Sequence, residues 1–441
     1  MLLLSTITII IILYFLCRTF LAKSVSFSNA TYLFNFAFII SVSTVVAYHL
    51  IGTHILELYW AGDIPGVLSL DGSCYHEHAS IIAKNNFIKH NYSYGDKAVV
   101  WQYIIAIPYY VFGNYPIFAK LINAALFASS SIFVYAIALH QSRSPILAKK
   151  SYYLFLFFLP LLIHYNGSLL KESLLASITI VNIYLYQLIN DNPKIKHFIF
   201  FFIGFAFMFL TRYQYSVILI FSMCSGIILG NSNLSNRTKI SCVVILCSTF
   251  LIIFQLISQT QLTFIENFGV TSKTLRTSAN VRMVVEGTYL DYILEFFKNP
   301  ILFGRQIVYG IIMIIFHPFP WQIINPTRTV YAIWAAYNFF FYICIPFIGF
   351  GLIYKNKMIK FNHIDYTILL YWISCLMAIT LNGRDPFRYR VSFFPLLLLY
   401  VPYGSYYYSK WKAKIPLLLV IMIIILFVGS EINFYELTGV R

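Results

Sequence analysis

Apolar runs of roughly 16–25 residues recur from one end of the chain to the other, with short polar turns between them. A run of that length, wound as a helix, covers about 30 Å of hydrocarbon. The pattern predicts spanning helices near 2–17, 31–52, 117–140, 151–165, 171–190, 197–212, 213–230, 240–258, 328–353, 364–382, 391–408 and 415–430. The expected fold class is therefore an all-α polytopic membrane protein of about 12 transmembrane helices. Residues 1–441 form a single integral membrane domain in this reading, with two long external segments at 53–116 and 259–327.

Two further apolar stretches, 99–113 and 301–316, are long enough to suggest spans. Counting either one alone would flip every later turn across the bilayer. Both carry polar or helix-breaking residues: Trp101, Gln102 and Pro108 in the first, and Arg305, Gln306, His317 and Pro318 around the second. They are expected to lie in the outer interface, or to dip in and return. The alternative is that both span, which places the 141–150 turn outside. The first apolar run has no basic residues ahead of it and no small-residue cleavage site, so it is expected to be a retained helix rather than a signal peptide.

Composition supports the membrane reading, with 60% hydrophobic and 10% charged residues in 441. The net charge of +16 does not point to nucleic acid, because the basic residues are dispersed through short turns rather than pooled. Arg18 and Lys23, Arg143, Lys149 and Lys150, Lys194 and Lys196, Arg237 and Lys239, Lys355, Lys357 and Lys360, and Lys410, Lys412 and Lys414 all fall on one side. That side is expected to be cytoplasmic. Every acidic residue except Asp191 and Asp365 falls on the other, so the chemistry is expected outside. The seven cysteines include only one in a loop, Cys74, and no CxxC, which excludes a disulfide framework and zinc or redox motifs.

Candidate chemistry gathers on the external face. Asp71 precedes Tyr75, His78 and Ala79 at helical spacing, after Glu57 and Asp63. A carboxylate at headgroup level suits a general base acting on an acceptor hydroxyl; Asp71 as a helix N-cap is the plainer reading, and the two are compatible. His76 and His78, with Glu77 between them, lie two apart, which is poor metal geometry on a helix. A divalent cation held by Asp71 or Asp63 with a lipid phosphate stays open. Lys171 and Glu172 begin an apolar helix, where they either meet a ligand or snorkel to the interface. Arg212 sits between two apolar runs as a ligand or ion-pair candidate. Residues 273–298 alternate charged and apolar positions, as a lid or as a solvated interfacial helix. Arg384, Arg388 and Arg390 are three guanidiniums in one short external turn, suited to bidentate grip on phosphate. Attraction to anionic headgroups is the rival explanation. No Walker loop, GxGxxG, HExxH or GxSxG is present in a suitable context.

These residues resemble a known group. Asp71-x-x-x-Tyr75-x-x-x-Ala79, then Pro108-Tyr-Tyr-x-x-Gly113 with Pro116 and Asn123, is similar to the start of GT-C superfamily glycosyltransferases, which include dolichyl-phosphate-mannose-type and lipid-A-modifying enzymes. Pro318-Phe-Pro-Trp321, and Arg388-Tyr-Arg390 followed by Pro395, are similar to the later part of bacterial members in surface-polysaccharide pathways. The resemblance implies a multi-span helical fold, interfacial helices in the first external loop, a polyprenyl-phosphate-linked donor and transfer at the non-cytoplasmic face. It also implies that Asp71 is the catalytic carboxylate. The family often pairs two acidic residues here; Gly72 follows instead, leaving Asp63 or Glu77 to supply a second carboxylate, or none.

The expected activity is transfer of a sugar from a polyprenyl-phosphate-linked donor to a growing surface glycan or lipid-linked acceptor. Asp71 is the expected base. Asp63, Tyr75, Glu77, Lys171, Glu172, Arg212, Arg384, Arg388 and Arg390 are the expected substrate-binding residues. Membrane lipids are the other expected partners, with no nucleic acid and no nucleotide cofactor, and the expected location is a bacterial inner membrane. Two rivals remain open at this point: an O-antigen or capsule repeat-unit polymerase using lipid-diphosphate-linked oligosaccharides, and a polysaccharide or lipid transporter or flippase. Transport predicts charges deep in mid-helix and a repeated half, neither of which is evident.

Overall fold

A computed structural model of the chain describes residues 2–25, 29–55, 70–87, 99–230, 329–382 and 390–408, with a few isolated backbone positions between 239 and 283. The described part is helical, apart from a two-residue antiparallel pairing of β1 (Leu275–Arg276) with β2 (Arg282–Met283). Five helices among the described residues are long and apolar enough to cross a bilayer, so this is a polytopic membrane protein. The expected span at 415–430 and the stretch at 301–316 lie outside the described residues, as does the expected span at 240–258 apart from isolated helical positions, and of the segment 259–327 only the β1–β2 pairing is described.

The chain divides into two compact units, Met1–Ser216 with Pro395–Pro402, and Val217–Phe394 with Tyr403–Arg441. In the first unit, α1 (Leu2–Ser24) and α2 (Ala30–Leu50) are followed by a π-helical turn, Ile51–Ile55. Helices α3 (Leu70–Lys84) and α4 (Val99–Phe112) belong to the first external segment. Helix α5 (Pro116–Ser142) is the hub, packed against α1, α2, α4, α6 and α7. It is rich in small residues, Ala124, Ala125, Ala128, Ser129, Ser130, Ser131, Ala136 and Ala138, all buried. Small side chains let helix backbones approach closely where lipid gives no hydrophobic drive to associate. The serine hydroxyls return to their own helix, Ser129 Oγ donating to the Ala125 carbonyl at 2.9 Å.

The sequence pattern predicted one span at 151–165. Instead α6 (Pro145–Leu156) ends early and a π-helical turn, Pro160–Tyr165, completes the passage. Pro160 has no N–H to give to the preceding turn, so a regular helix stops there. The predicted pair 197–212 and 213–230 is α8 (Ile195–Leu229), broken at Arg212 where the backbone is extended (φ −164°, ψ 91°). Helix α7 (Glu172–Asp191) matches its prediction.

Two sets of contacts fix the direction of the helices. Near the C-termini of α5 and α7, His140 Nε2 meets Asp191 Oδ2 at 2.8 Å. Near their N-termini, Asn123 Nδ2 of α5 donates to the Leu170 carbonyl just ahead of α7, at 3.1 Å. The two helices therefore run parallel. At the first end, Tyr184 donates to the carbonyl of Ser24, the last residue of α1, at 3.2 Å. This end carries Lys23, Arg143, Lys194 and Lys196, and is the basic end of the unit. The opposite end receives α3 and α4.

Helix α4 has 14 residues, about 21 Å of helix, too short to cross hydrocarbon. Its first turn is tied to the loop ahead of α7, and its last turn leads through Gly113–Tyr115 directly into α5. Both of its ends thus belong to the same end of the unit. That agrees with an oblique or interfacial helix and not with a span.

In the second unit, α9 (Thr329–Met358) and α10 (His363–Asn382) coincide with the predicted spans 328–353 and 364–382. A Cβ at Gly226 would overlap Thr367, and one at Gly230 would overlap the backbone of His363, so α8 and α10 meet with no side chain between them. The predicted helix at 391–408, whose residues Pro395–Pro402 belong to the first unit, is a 3₁₀ segment, Phe394–Tyr400, followed by α11 (Val401–Tyr408). Pro395 and Pro402 remove two ladder donors in this stretch, which accounts for the tighter winding.

Candidate functional site

The segment from Tyr165 to Glu172 is buried throughout, although it leaves regular helix before α7 begins. Backbone groups held away from water must find partners, and side chains from neighbouring elements supply them here. Trp101 of α4 donates from Nε1 to the Leu169 carbonyl at 2.9 Å. Asn123 of α5 donates to the Leu170 carbonyl at 3.1 Å and to the Tyr165 carbonyl at 3.4 Å. Ser173 donates to Asn166 Oδ1 at 2.7 Å, and Ser168 donates to the His164 carbonyl. Leu169 holds a left-handed backbone (φ 55°), which costs a branched L-residue on the order of 1–2 kcal/mol. A side chain at Gly167 would overlap the Tyr48 ring of α2, so only glycine fits at that position.

This frame carries Lys171 and Glu172, which are 4% and 0% exposed. Sequence left open whether they snorkel to the interface; their burial answers that they do not. Lys171 occupies the N-cap of α7, and its Nζ lies 5.7 Å from the ring centroid of Tyr75. Glu172 stands in the first turn of α7, where the helix dipole favours a carboxylate. Helix α3 supplies Tyr75 from a buried stripe that includes Gly72, Ser73, Tyr75, Ala79, Ile82 and Ala83. Asp71 lies one turn before Tyr75 on that helix, inside its first turn rather than at the capping position. Glu77 is on the exposed side of α3.

Helices α3 and α4 are clasped together by aromatic contacts. His76 Nδ1 lies 2.8 Å from the Tyr109 hydroxyl, and Phe87 packs on Tyr110 with centroids 5.6 Å apart. Burial lowers the His76 pKa and raises that of Tyr109, so both stay neutral near pH 7 and the hydroxyl can donate to the imidazole.

One contributor was missed in the sequence. Lys120 is fully buried, with Nζ 3.1 Å from His49 Nδ1. It precedes Asn123 by three residues, so it shares that helix face and lies at the same end of the unit. The available signal was its position: a lysine in the second turn of an otherwise apolar helix is expensive without a role.

Arg212 and Arg390 each have an aromatic contact of their own. Arg212 Cζ lies 5.6 Å from the Tyr215 ring, at the break in α8. Arg390, in the second unit, is 1% exposed with its guanidinium 4.7 Å from the Phe341 ring. That is a buried cation–π contact. Asp63, Arg384 and Arg388 lie outside the described residues, as does the side chain of Asp71. Among the described residues, no three of His, Cys, Asp and Glu converge closely enough to hold a metal ion.

No protein-family model matches the sequence, and no curated protein matches it significantly. Among solved structures, the chain is similar to ArnT from Cupriavidus metallidurans bound to undecaprenyl phosphate. The identity is 13% and the TM-score 0.47, over 83% of this chain and 59% of that one. The chain thus spans about three-fifths of that protein's length. At this identity and score, no activity or residue role transfers from that protein to this chain.

Proposed function

We propose that the chain is a membrane glycosyltransferase that moves a sugar from a polyprenyl-phosphate-linked donor to a surface glycan or lipid-linked acceptor, at the end of the bundle opposite its basic turns. The observation that carries this reading is the burial of Lys171 and Glu172 under the Tyr75 face of α3. A buried ammonium in a polar frame suits an oxyanion that arrives from the membrane without water. Helix α3 also bears Asp71, the carboxylate that the GT-C resemblance implies.

In this mechanism Asp71 takes the proton of the acceptor hydroxyl as that oxygen bonds to the anomeric carbon of the donor sugar. The bond from that carbon to the phosphate oxygen breaks, and polyprenyl phosphate leaves. Lys171 stabilises the charge that develops on the leaving phosphate. Glu172 orients a sugar hydroxyl or the Lys171 ammonium.

The test is deletion of the gene, followed by mass spectrometry of the surface glycan and its lipid-linked precursors. A glycan short of one sugar, with build-up of the matching polyprenyl-phosphate sugar, is the expected result. Loss of polymer length with intact repeat units would indicate a polymerase instead. An unchanged glycan and precursor pool would overturn the reading.

A further inference from the structure

We infer that Trp101 is a positioning residue: through the Leu169 carbonyl it fixes the loop that presents Lys171. The observation is a chain of contacts across three elements. The indole of α4 is fully buried, and its one N–H is spent on Leu169, a residue in the left-handed region. The next carbonyl, that of Leu170, is held from the opposite side by Asn123 of α5. Lys171 follows directly, with its ammonium over Tyr75.

The loop is therefore gripped at two consecutive carbonyls by donors from different helices. Removing one donor leaves a left-handed leucine with no partner among these contacts to hold its peptide. Because α4 also clasps α3 through Tyr109 and His76, one helix sets both the loop bearing Lys171 and the helix bearing Tyr75. The loop's dependence on Trp101 stands on this geometry alone. The ligand of Lys171, a lipid phosphate, rests on the functional reading above.

The experiment uses the full chain in lipid nanodiscs. Trp101→Phe keeps most of the ring volume and removes only the donor. Hydrogen exchange of the 165–172 peptide is expected to speed up, with the centres of α5 and α7 unchanged. Undecaprenyl phosphate serves as the binding probe. Trp101→Phe and Lys171→Gln are each expected to weaken its binding roughly tenfold, and the double variant no more than Lys171→Gln alone, because residues acting through one group are non-additive. If Trp101→Phe does not accumulate, Asn123→Ala removes the neighbouring donor and should speed exchange of the same peptide. Unchanged exchange in the 165–172 peptide, or additive losses in the double variant, would overturn the role of Trp101. Faster exchange with no wild-type binding of undecaprenyl phosphate would instead remove the lipid-phosphate reading and leave Trp101 as the residue that sets the loop.

Discussion

Each unit buries lysine, and the described contacts around the ammonium groups differ. In the second unit, Lys355 Nζ meets Asp365 Oδ1 at 2.6 Å, and both side chains are essentially fully buried. The other carboxylate oxygen accepts from the Asn362 N–H at 3.0 Å, and Asn362 Oδ1 accepts from the Asp365 N–H at 3.0 Å. Tyr403 covers the ammonium, its ring centroid 5.2 Å away. In the first unit the described partner of Lys120 is an imidazole, and the ring of Tyr75 faces Lys171. A lysine matched to a carboxylate is neutralised within the protein and serves packing. Burial of charge alone therefore does not mark function; under the proposed function Lys171, and not Lys355, meets the lipid phosphate.

The sharpest break of this contrast is by substitution at the first unit's polar end. Asp71→Asn and Lys171→Gln are each expected to lower transfer by at least about 100-fold, with normal accumulation in the membrane. Transfer from a radiolabelled lipid-linked donor in membrane fractions measures it. Full activity in Asp71→Asn would take that residue out of the mechanism.

The second unit should respond in stability rather than turnover. Lys355→Met or Asp365→Leu alone strands a buried charge and should cost about 3–5 kcal/mol, whereas the double substitution should recover most of it. Thermal unfolding in detergent reads the difference, and activity per folded molecule should stay at the wild-type level in the double variant. Equal stability in single and double variants would erase the distinction drawn between the two units.

Much of the first unit was legible in sequence because length and hydropathy are one-dimensional. Helices α1, α2, α5 and α7 follow from apolar runs, and the refusal to count 99–113 as a span followed from Trp101, Gln102 and Pro108. Winding was not legible: Pro160 divided a predicted span, and Pro395 with Pro402 tightened another. The burial of Lys171 and Glu172 was undecidable from position, since a helix end looks alike whether covered or open. It is covered because α3 returns onto it, a contact between residues almost a hundred positions apart. Lys120 was passed over because one charge barely alters the hydropathy of a long apolar window. The contact of Arg390 with the Phe341 ring was not legible either, because it joins residues about fifty positions apart.

A milder perturbation concerns the cover over the polar end. Burial holds the His76 pKa below its ordinary value, so the neutral imidazole is the form suited to the α3–α4 contact. The stabilisation is present above the unfolded histidine pKa of about 6.5 and is lost as pH falls through the lower folded value. The protection of α3 and α4 amides, taken relative to their intrinsic exchange rate at each pH, should therefore be constant above about pH 6.5 and fall below it. His76→Ala should loosen the contact at all pH values and remove the pH dependence. A pH response that persists in His76→Ala would assign it to another group.

The smallest effect belongs to the basic end, and it tests whether the contrast depends on burial. His140 Nε2 lies 2.8 Å from Asp191 Oδ2, but their side chains are 50% and 35% exposed. Water and salt screen such a pair, and ordering two side chains offsets the attraction. Removing it should cost no more than about 0.5 kcal/mol. Asp191→Asn should shift the unfolding midpoint only slightly, and less still at high salt, while Lys355→Met shifts it strongly at any salt concentration. Both contacts join elements through a carboxylate at short range, so geometry does not separate them. If Asp191→Asn proved as damaging as Lys355→Met, desolvation would not be the quantity that ranks the charges of this protein, and the inference from a buried Lys171 to a ligand would lose its physical basis.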